Sequence, residues 1–77
     1  MTDAEYTAEM GAADVPATME SVSIVETIRA IDEKDRTDDQ KTELFRNEGH
    51  IVIKMKWTEF VKALSSDQKA KIDALSL

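Results

Sequence analysis

Residues 37–64 read TDDQKTELFRNEGHIVIKMKWTEFVKAL, and this stretch decides the fold because a helical pattern and a strand pattern overlap within it. On a helix with 100° per residue, one stripe collects five apolar side chains: Leu44, Phe45, Ile51, Val52 and Met55. On a strand, alternate residues from Ile51 to Trp57 would share one face. A lone strand has no obvious partner in so short a chain. The sequence therefore predicts an all-α fold with a helix at about 38–56, and an α+β fold with a strand at about 50–57 is the alternative.

Capping signals mark the starts of two helices. Thr37 and Gln40 stand at the spacing of a capping box, in which each side chain accepts a hydrogen bond from the backbone of the other residue. We therefore expect the central helix to begin directly after Thr37. Ser65 and Gln68 repeat this spacing and predict a last short helix at about 67–75.

Two further helices follow from apolar residues spaced by three and four positions. One is predicted at about 57–64, where the helical stripe consists of Trp57, Phe60, Val61 and Leu64. The other is predicted at about 19–34, where aliphatic residues recur from Val22 to Ile31. The fold class is thus three to four short helices.

Residues 1–17 differ from the rest of the chain because they are mostly small and acidic. Such a stretch has few large side chains to bury, so packing cannot offset the entropy lost on ordering. We expect a flexible acidic N-terminal arm at 1–17, followed by a single small helical domain at 18–77. The alternative is a short helix over 4–10 with Tyr6 and Met10 on one side.

Length and charge limit the classes of function. The chain has 77 residues, no cysteine and one histidine, so neither disulfides nor a metal supplement its small core, and a partner chain is the remaining means of support. The net charge is -6, and residues 1–28 carry six acids and no base, whereas 29–77 carry ten of each. Without a basic patch, nucleic acid and anionic membranes are poor partners. Neither a signal peptide nor a long apolar run is present, which predicts a soluble protein that is not secreted.

The residues that commonly carry chemistry are isolated. His50 has Arg46 and Lys54 one helical turn away on either side, and these cations would repel a metal ion. The acids between Asp32 and Asp39 lack the arrangement of a calcium loop or a glycosidase pair. We therefore predict no catalytic residue, no cofactor, no metal and no enzymatic activity. His50 is expected at the surface or facing a partner.

Protein binding is the function that these features favour. Ile53 falls outside the predicted core stripe and, with Trp57, would form a second apolar strip that a small monomer cannot easily cover. Trp57 and Phe60 are candidates for an interaction hot spot, with core packing as the alternative. The acids of the arm would be attracted to a basic surface, and the alternative is that they only solvate the chain. The predicted partner-binding residues are Ile53, Trp57, Phe60, Glu5, Glu9, Asp14 and Glu20, and the partner is another protein or a second copy.

Residues 46–55, followed by Trp57 and Phe60, resemble a segment of small uncharacterised bacteriophage proteins. Those proteins have Arg-Asn, a histidine three residues after the asparagine, and an aliphatic-rich helix that ends in methionine. Gly49 departs from the helix-forming residue found there. The resemblance implies a phage origin and a structural or accessory role in the virion. An acidic inhibitor that mimics DNA, or an enzyme subunit without its own active site, are the other hypotheses.

Overall fold

The structure is a computed structural model that describes the backbone of residues 3–77 and the side chains of residues 11–77. Over this range the chain is all-α, as the sequence predicts. The helices are α1 (Asp3–Arg29), α2 (Asp38–Met55), α3 (Thr58–Ala63) and α4 (Ser66–Asp73), with a short 3-10 helix at Glu33–Asp35. The described backbone contains no strand, so the alternative of a strand at 50–57 is wrong.

Helix α1 starts much earlier than predicted. The sequence placed its start near residue 19, but residues 11–17 also belong to α1, and Gly11 and Val15 are buried. The flexible arm is therefore wrong for these residues. Alanine is the best helix former, and small side chains allow close packing, which an argument from large apolar residues overlooks. The helix proposed as the alternative at 4–10 falls within the backbone of α1.

The inner face of α1 is a stripe of buried residues spaced alternately by four and three positions. Its members are Gly11, Val15, Thr18, Val22 and Val25. Gly11 marks the closest approach, because a Cβ atom built there would lie 2.9 Å from the backbone oxygen of Glu59. The start of α3 therefore packs directly on the backbone of α1.

Helix α1 ends at Arg29, five residues before the predicted end at 34. The Arg36 guanidinium donates to the backbone oxygen of Ile31 (3.1 Å) and to that of Arg29 (3.5 Å). A cation that binds the last carbonyl groups of a helix also opposes the negative end of its dipole. The polar segment after Ile31 thus closes α1 instead of extending it.

Both predicted capping boxes are confirmed. The backbone N–H of Gln40 donates to the Thr37 hydroxyl (3.1 Å), and that of Thr37 donates to the Gln40 side chain (2.8 Å). Ser65 and Gln68 make the same reciprocal pair, at 3.2 and 2.9 Å. These contacts satisfy backbone donors at the starts of α2 and α4 and so fix where the chain turns.

The core is small and lies where α1, α2 and α4 meet. Its fully or nearly buried members are Val22, Val25, Ile51, Ile72 and Leu75, with Met19, Leu44, Met55 and Leu64 packed around them. Phe60 of α3 is also completely buried. The molecule measures 50 × 22 × 17 Å. An elongated shape with so few buried side chains leaves much of α2 facing solvent.

Candidate protein-binding face on α2

Three large apolar side chains are exposed among the described residues. Phe45 is 83% exposed, Ile53 is 69% exposed and Leu77 is 46% exposed. Phe45, Gly49 and Ile53 follow one another at intervals of four, so they line one side of α2. We define the apolar face as Phe45, Gly49, Val52 and Ile53 of α2 together with Leu77.

A shallow depression of about 410 Å³ lies in the apolar face and has Glu48 at its edge. Gly49 contributes to this depression because it has no side chain between Phe45 and Ile53. A Cβ atom at Gly49 would meet nothing within 4 Å, and its φ angle is not positive. Neither packing within the chain nor backbone conformation therefore explains a glycine at this position.

A second depression of about 230 Å³ adjoins the first and shares Val52 and Leu77 with it. Its other lining residues include Met55 and Ile72, at the edge of the core. Ser76 has φ 56°, a left-handed conformation that is uncommon for serine and turns the chain between Leu75 and Leu77. The apolar surface thus continues from α2 to the segment after α4.

Helix α2 is apolar on two sides. Ile51 is buried, with Leu44 and Met55 packed against the core, whereas Phe45 and Ile53 are exposed. The prediction that Ile53 lies off the core stripe is confirmed, and the prediction that Phe45 lies in it is wrong. Phe45 is 100° around the helix from Leu44, and no described element covers that side. The spacing of Phe45, Gly49 and Ile53 was the signal in the sequence that points to this face.

Trp57 does not join Ile53 in the predicted second strip, and Phe60 is not an exposed hot spot. Helix α2 ends at Met55, and Trp57 has an extended backbone (φ -91°, ψ 106°) as it caps α3. Its ring is half-buried, with the Lys54 Nζ atom 4.8 Å from the ring centroid. Phe60 is fully buried, so its side chain belongs to the core and is not available to a partner.

The predicted acidic residues are in different environments. The Asp14 carboxylate forms an ion pair with Lys54 at 2.6 Å, which ties α1 to α2. Glu20 is exposed on α1. Glu5 and Glu9 lie outside the described side chains. Of the two predicted acids with described side chains, Asp14 is thus paired with a lysine of the same chain and Glu20 faces solvent.

Arg29 holds three parts of the fold together beside the apolar face. Its Nε and Nη2 atoms donate to Glu48 Oε1 at 3.3 and 3.2 Å, and its Nη1 atom donates to the backbone oxygen of Leu75 at 2.7 Å. A second ion pair joins Lys71 to Glu26 at 3.7 Å. The Glu48 carboxylate is therefore fixed in position at the edge of the depression.

His50 has a structural contact instead of the predicted surface or partner-facing position. Its Nε2 atom is 3.1 Å from the hydroxyl oxygen of Thr18, which is completely buried on α1. The imidazole is half-buried and satisfies this hydroxyl. No group of three His, Cys, Asp or Glu side chains that could hold a metal ion occurs within the described part of the chain.

No helix in the described range is long and apolar enough to cross a membrane. Comparison of the chain with protein-family models, with curated proteins and with solved structures finds no match. The resemblance to bacteriophage proteins therefore stays a prediction, and the geometry of the apolar face is the remaining basis for a function.

Proposed function

We propose that this chain is a non-enzymatic subunit that binds another protein chain through the apolar face of α2. The observation that supports the proposal is the exposure of Phe45 and Ile53 on either side of Gly49. Moving one such side chain from water into an interface contributes about 1.5–3 kcal/mol. A contiguous exposed apolar patch of this kind is typical of an interaction site.

The surroundings of the apolar face resemble those of a protein interface. Arg46 and Lys56 are exposed on α2 near its apolar residues, and Glu48 is held at its edge by Arg29. Interfaces commonly have an apolar centre within a polar rim, because the rim stays in contact with water. The face therefore has the chemistry expected of a protein-binding site.

The resemblance to phage proteins extends this proposal to the partner. On that basis the partner would be another component of a bacteriophage particle or of its assembly, in the virion or in the host cytoplasm. The acidic, DNA-mimicking alternative has no comparable support in the described residues. Asp14 is paired with Lys54, and this ion pair reduces the acidic charge available to a basic partner.

The proposal is tested by the double substitution Phe45→Glu and Ile53→Glu, which places two charges on the apolar face. The untagged wild-type and variant chains are purified from the native source, and the copurifying proteins are identified by mass spectrometry. We expect the variant to lose the partner, because an unpaired charge in an interface is strongly unfavourable. The control is Ala17→Glu with Ala70→Glu, two exposed positions that do not line either depression at the face.

The control variant should keep every partner of the wild type. If the F45E/I53E variant retains every protein that copurifies with the wild type, and also the native mass of the wild type in size-exclusion chromatography, the apolar face is not the binding site. That result would overturn the proposed function.

A further inference from the structure

We infer that the apolar face binds a second copy of this chain, with the two α2 helices antiparallel about a two-fold axis close to Gly49. This inference rests on the proposed function and identifies the partner. Its basis is that the face is complementary to itself in apolar residues and in charge. A two-fold interface requires this property, because each surface residue must match a residue of the same patch.

The apolar residues match in the antiparallel arrangement. Phe45 and Ile53 are each four residues from Gly49, so a two-fold axis at Gly49 places Phe45 opposite Ile53 of the second copy. The same axis places Ile53 of the first copy opposite Phe45 of the second copy. Both exposed side chains of α2 are then covered at once, which a parallel arrangement achieves only by placing Phe45 against Phe45.

Gly49 has the right position for a close approach of two helix backbones. Glycine is the least favourable helix former after proline, yet it occurs here inside an 18-residue helix. Within the chain nothing lies within 4 Å of the space that a Cβ atom would occupy. A glycine is required where another backbone comes close, and at the centre of the apolar face that backbone would belong to the second α2.

The charges at the two ends of the face are opposite. Asp38 lies seven residues before Phe45, and Lys56 lies seven residues after Gly49, so both share the side of α2 that carries the apolar face. Both are exposed, and neither takes part in the ion pairs formed among the described side chains. Each is therefore free to bind a charge on another chain.

Antiparallel pairing brings the acidic end of one α2 to the basic end of the other. With the axis at Gly49, Lys56 of one copy lies opposite Thr42 of the second copy. Asp38 is four residues farther, about 6 Å along the axis, a distance that a lysine side chain can span. The opposed helix dipoles add to this attraction. These charges favour a second copy of the chain as the partner, because the same face carries both Asp38 and Lys56, the two members of each ion pair.

The test is sedimentation equilibrium of the purified chain over a range of concentrations. The wild type should approach twice the chain mass of 8.6 kDa. Asp38→Lys and Lys56→Asp should each raise the dimer dissociation constant about tenfold, because each places two like-charged pairs at the rim. The double reversal D38K/K56D should restore the constant to within about threefold of the wild type, since the pairs are re-formed with opposite sign.

Two further variants separate this arrangement from general effects on α2. Asp39→Lys makes the same charge change in the first helical turn but on another side of α2, so the dimer should keep its dissociation constant. Gly49→Leu adds apolar area and a good helix former, yet it should weaken the dimer about tenfold or more by separating the backbones. Circular dichroism confirms that each variant keeps its helical content.

A wild-type chain that stays at 8.6 kDa at all concentrations would overturn the inference. The antiparallel arrangement would also be overturned if the D38K/K56D dimer had a dissociation constant as high as those of the single variants. A tighter dimer in Gly49→Leu would overturn it too. The proposed function has a separate outcome. If the wild type is a monomer but a different protein is lost from the F45E/I53E variant, the face binds that protein and only the second copy is excluded.

Discussion

Gly11 and Gly49 are the two glycines of the chain, and they have opposite surroundings. A Cβ atom at Gly11 would lie 2.9 Å from the backbone oxygen of Glu59, whereas one at Gly49 would meet nothing. We expect Gly11→Ala to lower the free energy of unfolding by about 1–3 kcal/mol, because the backbone of α3 must move. Gly49→Ala should raise it by up to about 1 kcal/mol through helix propensity.

Urea unfolding followed by circular dichroism measures both effects, at a concentration low enough to keep the chain monomeric. A loss of stability in Gly49→Ala, or no loss in Gly11→Ala, would contradict the packing described for α1 and α2. Gly49 stands inside the predicted central helix, where a glycine is unfavourable, whereas Gly11 stands in the predicted flexible arm, where it is ordinary. The sequence pattern alone could not place the contact between Gly11 and Glu59, because a glycine has no apolar side chain that would mark a buried face.

The Arg29 side chain joins α1 by hydrogen bonds to both α2 and the segment after α4. Arg29→Lys keeps the charge but loses the planar fork that reaches Glu48 Oε1 and the Leu75 oxygen together. We expect a loss of about 1–2 kcal/mol in the free energy of unfolding. Arg46→Lys is the matched control, because Arg46 is exposed, and it should change the stability by less than about 0.5 kcal/mol. Equal effects of the two substitutions would show that the fork contributes nothing.

At the scale of the helices, the start of α2 depends on one reciprocal pair of hydrogen bonds. Thr37→Ala removes the acceptor for the Gln40 N–H and should lower the free energy of unfolding by about 1 kcal/mol. Thr37→Asp supplies another side-chain oxygen and should keep most of the wild-type stability. Thermal unfolding compares the two variants. A Thr37→Asp protein as unstable as Thr37→Ala would indicate that the cap is not what sets the helix start.

The helix starts at 38 and 66 were predictable because capping is local, and four neighbouring residues carry the whole signal. The extent of α1 was not predictable in this way. Its residues 11–17 pack through small side chains against α3, and Pro16 lies inside the helix on an exposed side. Proline in a helix interior normally indicates an end or a kink, so a local pattern favours a break here. Only the contact between α1 and α3, which is distant in sequence, reveals that the helix continues.

At the scale of the whole molecule, the chain has more apolar helix surface than its own helices cover. The sequence predicted such a surplus and placed part of it correctly at Ile53. It placed Trp57 beside Ile53 and made Trp57 and Phe60 hot-spot candidates, because both belong to the helical stripe predicted at 57–64. The end of α2 at Met55 turns Trp57 toward Lys54 and moves Phe60 into the core, and the exposed positions are instead Phe45 and Leu77.

Under the proposed function, Phe45 and Ile53 contribute to binding and not to folding. The most direct test is the free energy of urea unfolding of the dilute F45E/I53E variant, compared with that of the dilute wild type. Because both side chains are exposed in the folded chain, the two values should agree to within about 1 kcal/mol. A loss of several kcal/mol, as expected for a charge placed in the core, would show instead that these side chains are needed for folding.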